Sequence, residues 1–297
     1  AKAGVDRILK LMLPALFGSS IVQINLLINT IIASYLLAGS ISWLYISDRF
    51  VELPLALFGI ATATVILPIL SKQHVSNQHH AFDQTLQWAL KVSLLISIPA
   101  MLGLLVLSGP ILFTLVQYRE FSLFDTQMAT LSLMASSLGL PAFIFIKILA
   151  PGFYSRQDTK TPVKIGVFVI LINIVLNLLF IGFLPDLKTP GAHAGLALVT
   201  SFSAYVNATL LYVLLRKSKV LRANPERLVM ALKVIFSSII MLLCLWWINP
   251  GPEVWAHWNI ITRLGSLSGL IIVGISIYLS LLMLLGLRPS QFRLELR

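Results

Sequence analysis

The chain has 297 residues, of which 58% are hydrophobic and 11% charged. A soluble domain carries about 25% charged residues, so composition excludes a soluble enzyme or binding module and points to the membrane class. The net charge is +11, from 22 Lys+Arg against 11 Asp+Glu, but the basic residues sit between apolar runs. Cytoplasmic loops of membrane proteins collect such residues beside anionic lipid, so membrane lipids and not nucleic acid are the expected partners.

The chain begins AKAGVDRILK, with neither an initiator Met nor a signal-peptide pattern. It is expected to be a piece of a longer protein. A transmembrane helix needs about 20 mostly apolar residues. Eight runs qualify, at roughly 11–37, 41–70, 84–108, 124–150, 162–184, 193–215, 228–249 and 260–287. The predicted fold class is all-α, a polytopic transmembrane helix bundle.

The first run carries Gln23, Asn25, Asn29 and Thr30. The second, SWLYISDRFVELPLALFGIATATVILPILS, holds Asp48, Arg49 and Glu52. Ionisable groups in an apolar helix are costly and face a cavity or a partner. Arg49 and Glu52 are three apart and share a face. Glu52 can hold the guanidinium while Arg49 offers a planar fork of donors that suits phosphate. A static Arg–Glu clamp at the interface fits the spacing equally well. Pro54, Gly59 and Pro68 in the same run predict a bent helix.

Between the second and third runs, SKQHVSNQHH reads as a solvated loop, with His74, His79 and His80 unaccompanied by cysteine. After the fourth run comes PGFYSRQDTKTPVK, a basic connector with Arg156, Asp158, Lys160 and Lys164. Pro162 suits a first helical turn, and Asp158 or Thr161 suits its cap. This segment reads as a positive-inside loop, or as a latch or phosphate-facing surface. Asn173 and Asn177 lie four apart in the fifth run, and Thr200, Ser201, Ser203 and Asn207 lie in the sixth. Such groups line a polar path or bond between helices. His193 stands alone near a span start and reads as solvated. Trp246, Trp247, Trp255 and Trp258 surround the connector NPGPEVWAHWN and read as interfacial anchors. The single cysteine, Cys244, reads as a small buried hydrophobe.

Basic residues alternate with the spans. On the side of the chain's start lie Lys2, Arg7, Lys10, Lys72, Lys91, Lys147, Arg156, Lys160, Lys164, Arg216, Lys217, Lys219, Arg222, Arg227, Lys233, Arg288, Arg293 and Arg297. On the other lie only Arg49, Arg119, Lys188 and Arg263. The asymmetry predicts an even number of spans with both ends cytoplasmic. No nucleotide loop, zinc spacing or nucleophile elbow is present, so no cofactor is expected.

The stretch SDRFVELPLALFGIATATVILPILS resembles the eighth transmembrane helix of the MurJ (MviN) lipid II flippase family. FYSRQDTKTPVK resembles that family's loop between helices ten and eleven, and QINLLINTIIASYL its seventh helix. The resemblance runs the length of the chain and implies helices seven to fourteen of a fourteen-helix exporter. Residues 1–222 would form the C-terminal six-helix lobe. Residues 223–297 would add two further helices and a cytoplasmic tail, those helices forming a groove for a long lipid tail. An N-terminal lobe would be the missing partner.

The implied activity is transport, not catalysis. Lipid II, an undecaprenyl-pyrophosphate-linked precursor, would move from the cytoplasmic to the periplasmic leaflet of the bacterial inner membrane by alternating access. Arg49 matches a cavity arginine of the family and Glu52 its acidic partner, with Asp48 adjacent. Some relatives carry aspartates where this sequence has Asn29 and Asn177, and use them to hold sodium. Asn173 and Thr200 fit that site, but without a carboxylate sodium is not expected to be the main coupling ion. The alternatives are another exporter of the same superfamily, a membrane enzyme acting on polyprenyl phosphates, or an inactive scaffold.

Overall fold

The computed structural model describes residues 23–184, 186–222 and 226–287, with only the backbone of Glu226 and Arg227. The beginning of the first expected span therefore lies outside the described residues. So do Lys2, Arg7, Lys10, Arg288, Arg293, Arg297 and the Arg227 side chain.

The described chain is helical throughout its regular structure. Helix α1 covers Gln23–Ser34. The second run becomes α2 (Ser40–Pro54), a π-helical segment (Leu55–Ile60) and α3 (Ala61–Val75). The rest follow as α4 (His79–Leu115), α5 (Leu123–Ser137), α6 (Leu140–Tyr154), α7 (Lys160–Gly182), α8 (Ala192–Lys217), α9 (Glu226–Ile248), α10 (Pro252–His257) and α11 (Ile260–Leu284). Among the described residues six helical stretches are long and apolar enough to cross a membrane, and the bent pair α5–α6 counts as a seventh if it is one span. Helix α1 is the described part of the remaining expected span.

The bends have local causes. Pro54 removes a backbone donor, and the next six residues, Leu55–Ile60, relax into a wider π turn. The expected bend in the second run is therefore a π segment within one continuous helical stretch. Between α5 and α6 the axis turns by 41°. Gly139 lies at that break, where a Cβ would come within 2.7 Å of both the Phe143 ring and Ser201 Oγ. Pro141 then occupies the first turn of α6, where its missing N–H leaves no helical bond unmade.

The two largest apolar clusters among the described residues organise the bundle. One joins α2–α8 through side chains including Trp43, Val51, Leu86, Leu133, Ile144 and Leu215. The other packs α9, α10 and α11 against α4 through Phe113, Val234, Leu245, Trp255 and Leu270. Hydrogen bonds reinforce this second contact. The Tyr278 hydroxyl donates to the Leu95 carbonyl at 2.6 Å. Leu95 lies four residues before Pro99, so its carbonyl is the one that the proline deprives of a helical donor. Lys233 Nζ donates to the Leu285 carbonyl at 2.8 Å, beside the end of α11, where a cation complements the helix terminus.

Three expectations are corrected at the membrane edges. The segment around His74 and His79 is mostly helix: α3 runs to Val75, α4 starts at His79, and the His74 ring meets Phe82 at a 6.5 Å centroid distance. Trp246 and Trp247 are exposed as anchors should be, but Trp255 is 1% exposed. It donates to Asn249 at 2.9 Å and packs on Trp258. His193 is buried as well. Its Nε2 lies 3.0 Å from the Met128 carbonyl and its ring 4.8 Å from that of Trp43. Short loops draw the ends of α2, α5 and α8 together, and a residue near a span start is thereby enclosed.

Candidate functional site

Helix α2 buries Ser40, Trp43, Ser47 and Val51, a three-and-four spacing that makes one face, and packs on α5. Two hydrogen bonds fix its rotation. The Trp43 indole donates to Asp125 at 3.0 Å, and the Ser47 hydroxyl donates to the Ala129 carbonyl at 3.1 Å. Asp125 is itself held, because it completes a capping box with Ser122 at the start of α5. The opposite face of α2 therefore carries Tyr45, Asp48, Arg49 and Glu52, all exposed.

On that face the expected pair is formed. Arg49 Nη1 donates to Glu52 Oε2 at 2.8 Å, and the two side chains are 58% and 57% exposed. A second partner was not singled out by sequence. Arg49 Nη2 donates to the Tyr45 hydroxyl at 2.9 Å, and the guanidinium carbon lies 4.6 Å from the Tyr45 ring centroid. The signal was present in the spacing, since Tyr45 is four residues before Arg49 and on its face. The guanidinium is held at both terminal nitrogens by two of its five N–H donors, and the side chain is more than half exposed.

Asp48 is directed elsewhere. With Tyr45 it lines a cavity of about 320 Å³ between α1, α2, α5, α6 and α8. Asn29, Thr30, Ser136 and Thr200 supply other polar groups there, and Leu44 and Phe143 are among the apolar ones. Neither Arg49 nor Glu52 is among its lining residues.

At the wall of this cavity the four polar residues picked from three separate spans meet, with Asn29 and Thr200 in its lining and Asn173 and Asn177 beyond it. Asn177 Nδ2 donates to Asn29 Oδ1 at 2.9 Å and to Asn173 Oδ1 at 3.0 Å. Asn29 Nδ2 donates to Thr200 Oγ1 at 3.2 Å, and Asn173 Nδ2 to Ser203 Oγ at 3.2 Å. The Thr200 hydroxyl in turn donates to the Leu196 carbonyl. Asn173 and Asn177 are fully enclosed, and Asn177 Oδ1 has no partner among the described residues. The four residues are themselves neutral, and the carboxylate that shares the cavity lining with Asn29 and Thr200 is that of Asp48. The Asn177 amide N–H groups already engage two of the oxygens that a cation would need. These four residues thus bring no carboxylate of their own to the position where the resemblance implies a sodium site.

The connector between α6 and α7 is ordered by its own side chains. Asp158 Oδ1 accepts from the Thr161 N–H at 3.1 Å, which satisfies a free donor of the first turn of α7. Arg156 Nη1 lies 3.4 Å from Ser218 Oγ just past α8, a contact across 62 residues of sequence. Lys160 and Lys164 remain exposed. Lys160 and Lys164 lie in the first turns of α7, and none of these four groups is among the residues lining the cavity.

Known proteins resemble this chain along nearly its whole length. The family model described as "Lipid II flippase MurJ" matches residues 1–264. A probable lipid II flippase MurJ of Vibrio cholerae is 45% identical over 290 residues, covering 98% of this chain and 54% of that protein. A lipid II flippase MurJ of Burkholderia cenocepacia is 34% identical over 292 residues, with 98% and 55% covered. The chain thus spans little more than half the length of these relatives. Among solved structures, a lipid II flippase MurJ in an inward closed conformation superposes with a TM-score of 0.75 at 29% identity, covering 99% of this chain and 57% of the other. An outward-facing multidrug resistance MATE family transporter shares the fold, with a TM-score of 0.60 at 17% identity over 91% of this chain and 62% of its own. Since the family match takes in every helix from α1 to α10 and the start of α11, including the Arg49 face and the buried asparagines, the chain belongs to the lipid II flippase MurJ family.

Proposed function

We propose that this chain is the C-terminal part of a carrier that moves lipid II from the cytoplasmic to the periplasmic leaflet of the bacterial inner membrane. The observation that carries the reading is Arg49: a guanidinium on a membrane-spanning helix, clamped on its own face and still open to an outside ligand. A pyrophosphate is a dianionic group with oxygens spaced for such a fork. Glu52 orients Arg49, and Asp48 adds a carboxylate to the adjoining cavity. The relatives' names and the fold shared with the flippase structure support the substrate class.

In this reading residues 1–222 form one transport lobe. Residues 223–297 form two accessory helices and a tail, and both ends of the chain are cytoplasmic. The greater length of the relatives supports a second lobe facing Arg49, so that the two enclose the headgroup and expose it to each side in turn. Transport needs no bond to be made or broken, and the protein is a carrier and not an enzyme. The test is complementation by the full-length parent in cells depleted of their own flippase, scored by accessibility of lipid II to an external probe. Restored exposure supports the reading, and equal protein level without exposure overturns it.

The neutral asparagine cluster leads to a second expectation. With only amides and hydroxyls meeting at Asn177, sodium is not the main coupling ion. The rate of lipid II exposure is expected to stay within about twofold when external sodium is replaced by choline, which corresponds to less than ~0.5 kcal/mol. A rate that rises with sodium would remove this part of the reading.

A further inference from the structure

We propose that Tyr45 is a positioning residue for Arg49, holding the guanidinium in the orientation that receives the pyrophosphate of the substrate. The inference rests on the functional reading above and adds a residue to it.

An exposed arginine side chain samples many rotamers, and fixing it before the ligand arrives removes part of the entropic cost of binding. Glu52 alone would hold one edge of the guanidinium, at Nη1. It would also offset much of the positive charge that the ligand is meant to meet. Tyr45 holds the other edge, at Nη2, through a neutral hydroxyl. The ring lies beside the same guanidinium, 4.6 Å from its carbon, and favours the cation without supplying a negative charge. The two partners stand four residues before and three after Arg49, so the clamp is built within one helix. It can travel with that helix as a unit when the lobe moves.

Tyr45 is itself placed by the fold. It lies between Trp43 and Ser47, whose bonds to Asp125 and Ala129 fix the rotation of α2. Its side chain also lines the cavity that contains Asp48 and Thr200. Tyr45 therefore touches both the cavity and the cationic group outside it.

The test is a binding cycle with the purified full-length parent and a short-chain polyprenyl pyrophosphate as probe. The four proteins are wild type, Tyr45→Phe, Arg49→Ala and the double variant. Tyr45→Phe keeps the ring and removes only the hydroxyl. It is expected to weaken binding about three- to tenfold, within the range for one ordinary hydrogen bond, since this one is exposed and acts on the ligand through Arg49. Arg49→Ala is expected to weaken it about tenfold or more. In the Arg49→Ala background Tyr45→Phe should then have no further effect, because its route to the ligand is gone.

A merely structural tyrosine would give equal losses in both backgrounds, together with a lower melting temperature, and would overturn the proposal. Unchanged binding in Tyr45→Phe with weakened binding in Arg49→Ala overturns the role of Tyr45 alone. Unchanged binding in Arg49→Ala overturns both this role and the assignment of Arg49 beneath it.

Discussion

Replacing Arg49 by alanine in the full-length parent is expected to reduce lipid II exposure sharply in flippase-depleted cells while leaving the protein folded and present at the normal level. The physical basis is the separation of roles along α2. The face that holds the helix in place is made by Ser40, Trp43, Ser47 and Val51. Arg49 is on the other face, and among the described residues its side-chain bonds go to Glu52 and Tyr45, one turn away on the same helix. Its removal leaves no cavity in the core and no buried group unpaired, so stability should be almost unaffected. What disappears is the planar fork that can bond two phosphate oxygens together. Exposure should fall about tenfold or more, and Arg49→Lys should recover only part of it, since an ammonium restores charge without the fork. If Arg49→Ala transports normally, the Arg49–Glu52 pair is a static clamp, and the substrate is gripped by other residues. If the variant is absent from the membrane, a test at matched protein level with Arg49→Gln separates folding from transport.

Much of this site was legible in the sequence, for particular reasons. Arg49 and Glu52 announce themselves because charge inside an apolar run is costly and must be explained. Their three-residue spacing gives their pairing without any knowledge of the fold. Asn173 and Asn177 share a face by the same arithmetic. Asn29 and Thr200 could be placed beside them only through the family resemblance, because their hydrogen bond spans 171 residues. No local period encodes a contact at that distance. Residues with ordinary local explanations were misread. His193 and Trp255 sit near span ends, where exposure is the default, and are buried only because helix ends converge. Tyr45 carries no signal of its own, since aromatic residues near span ends are common. Its value depends on the residue four positions away. Asp48 was grouped with Arg49 by adjacency, but successive helical side chains diverge by about 100°, and the carboxylate lines a cavity that Arg49 does not.

Placing a methyl group on Gly195 is expected to destabilise the bundle and disturb the asparagine cluster together. Gly195 lies in the second turn of α8, against α7. A Cβ built there would fall within the ring of Phe180. The glycine is required by close approach and not by its backbone angles. Phe180 packs with Ile32, Ala33, Leu36 and Leu196 where α1, α7 and α8 meet. It is also three residues beyond Asn177 on α7, so the two share a face. Making room for alanine requires the ring to leave that cluster or α7 to move away from α8. Overpacking of this kind costs about 1–3 kcal/mol. Movement of α7 would also lengthen the bonds from Asn177 to Asn29 and from Asn173 to Ser203, now 2.9 and 3.2 Å. The check is thermal unfolding of the purified full-length parent. Gly195→Ala should melt at a lower temperature, and Phe180→Ala should lose its own packing. The double variant should lose clearly less than the sum, since the clash vanishes with the ring. Additive losses would show that the two residues do not share the space. A neutral Gly195→Ala would show that Phe180 swings freely into the lipid, and that α7 and α8 are held together by the polar cluster and not by this contact.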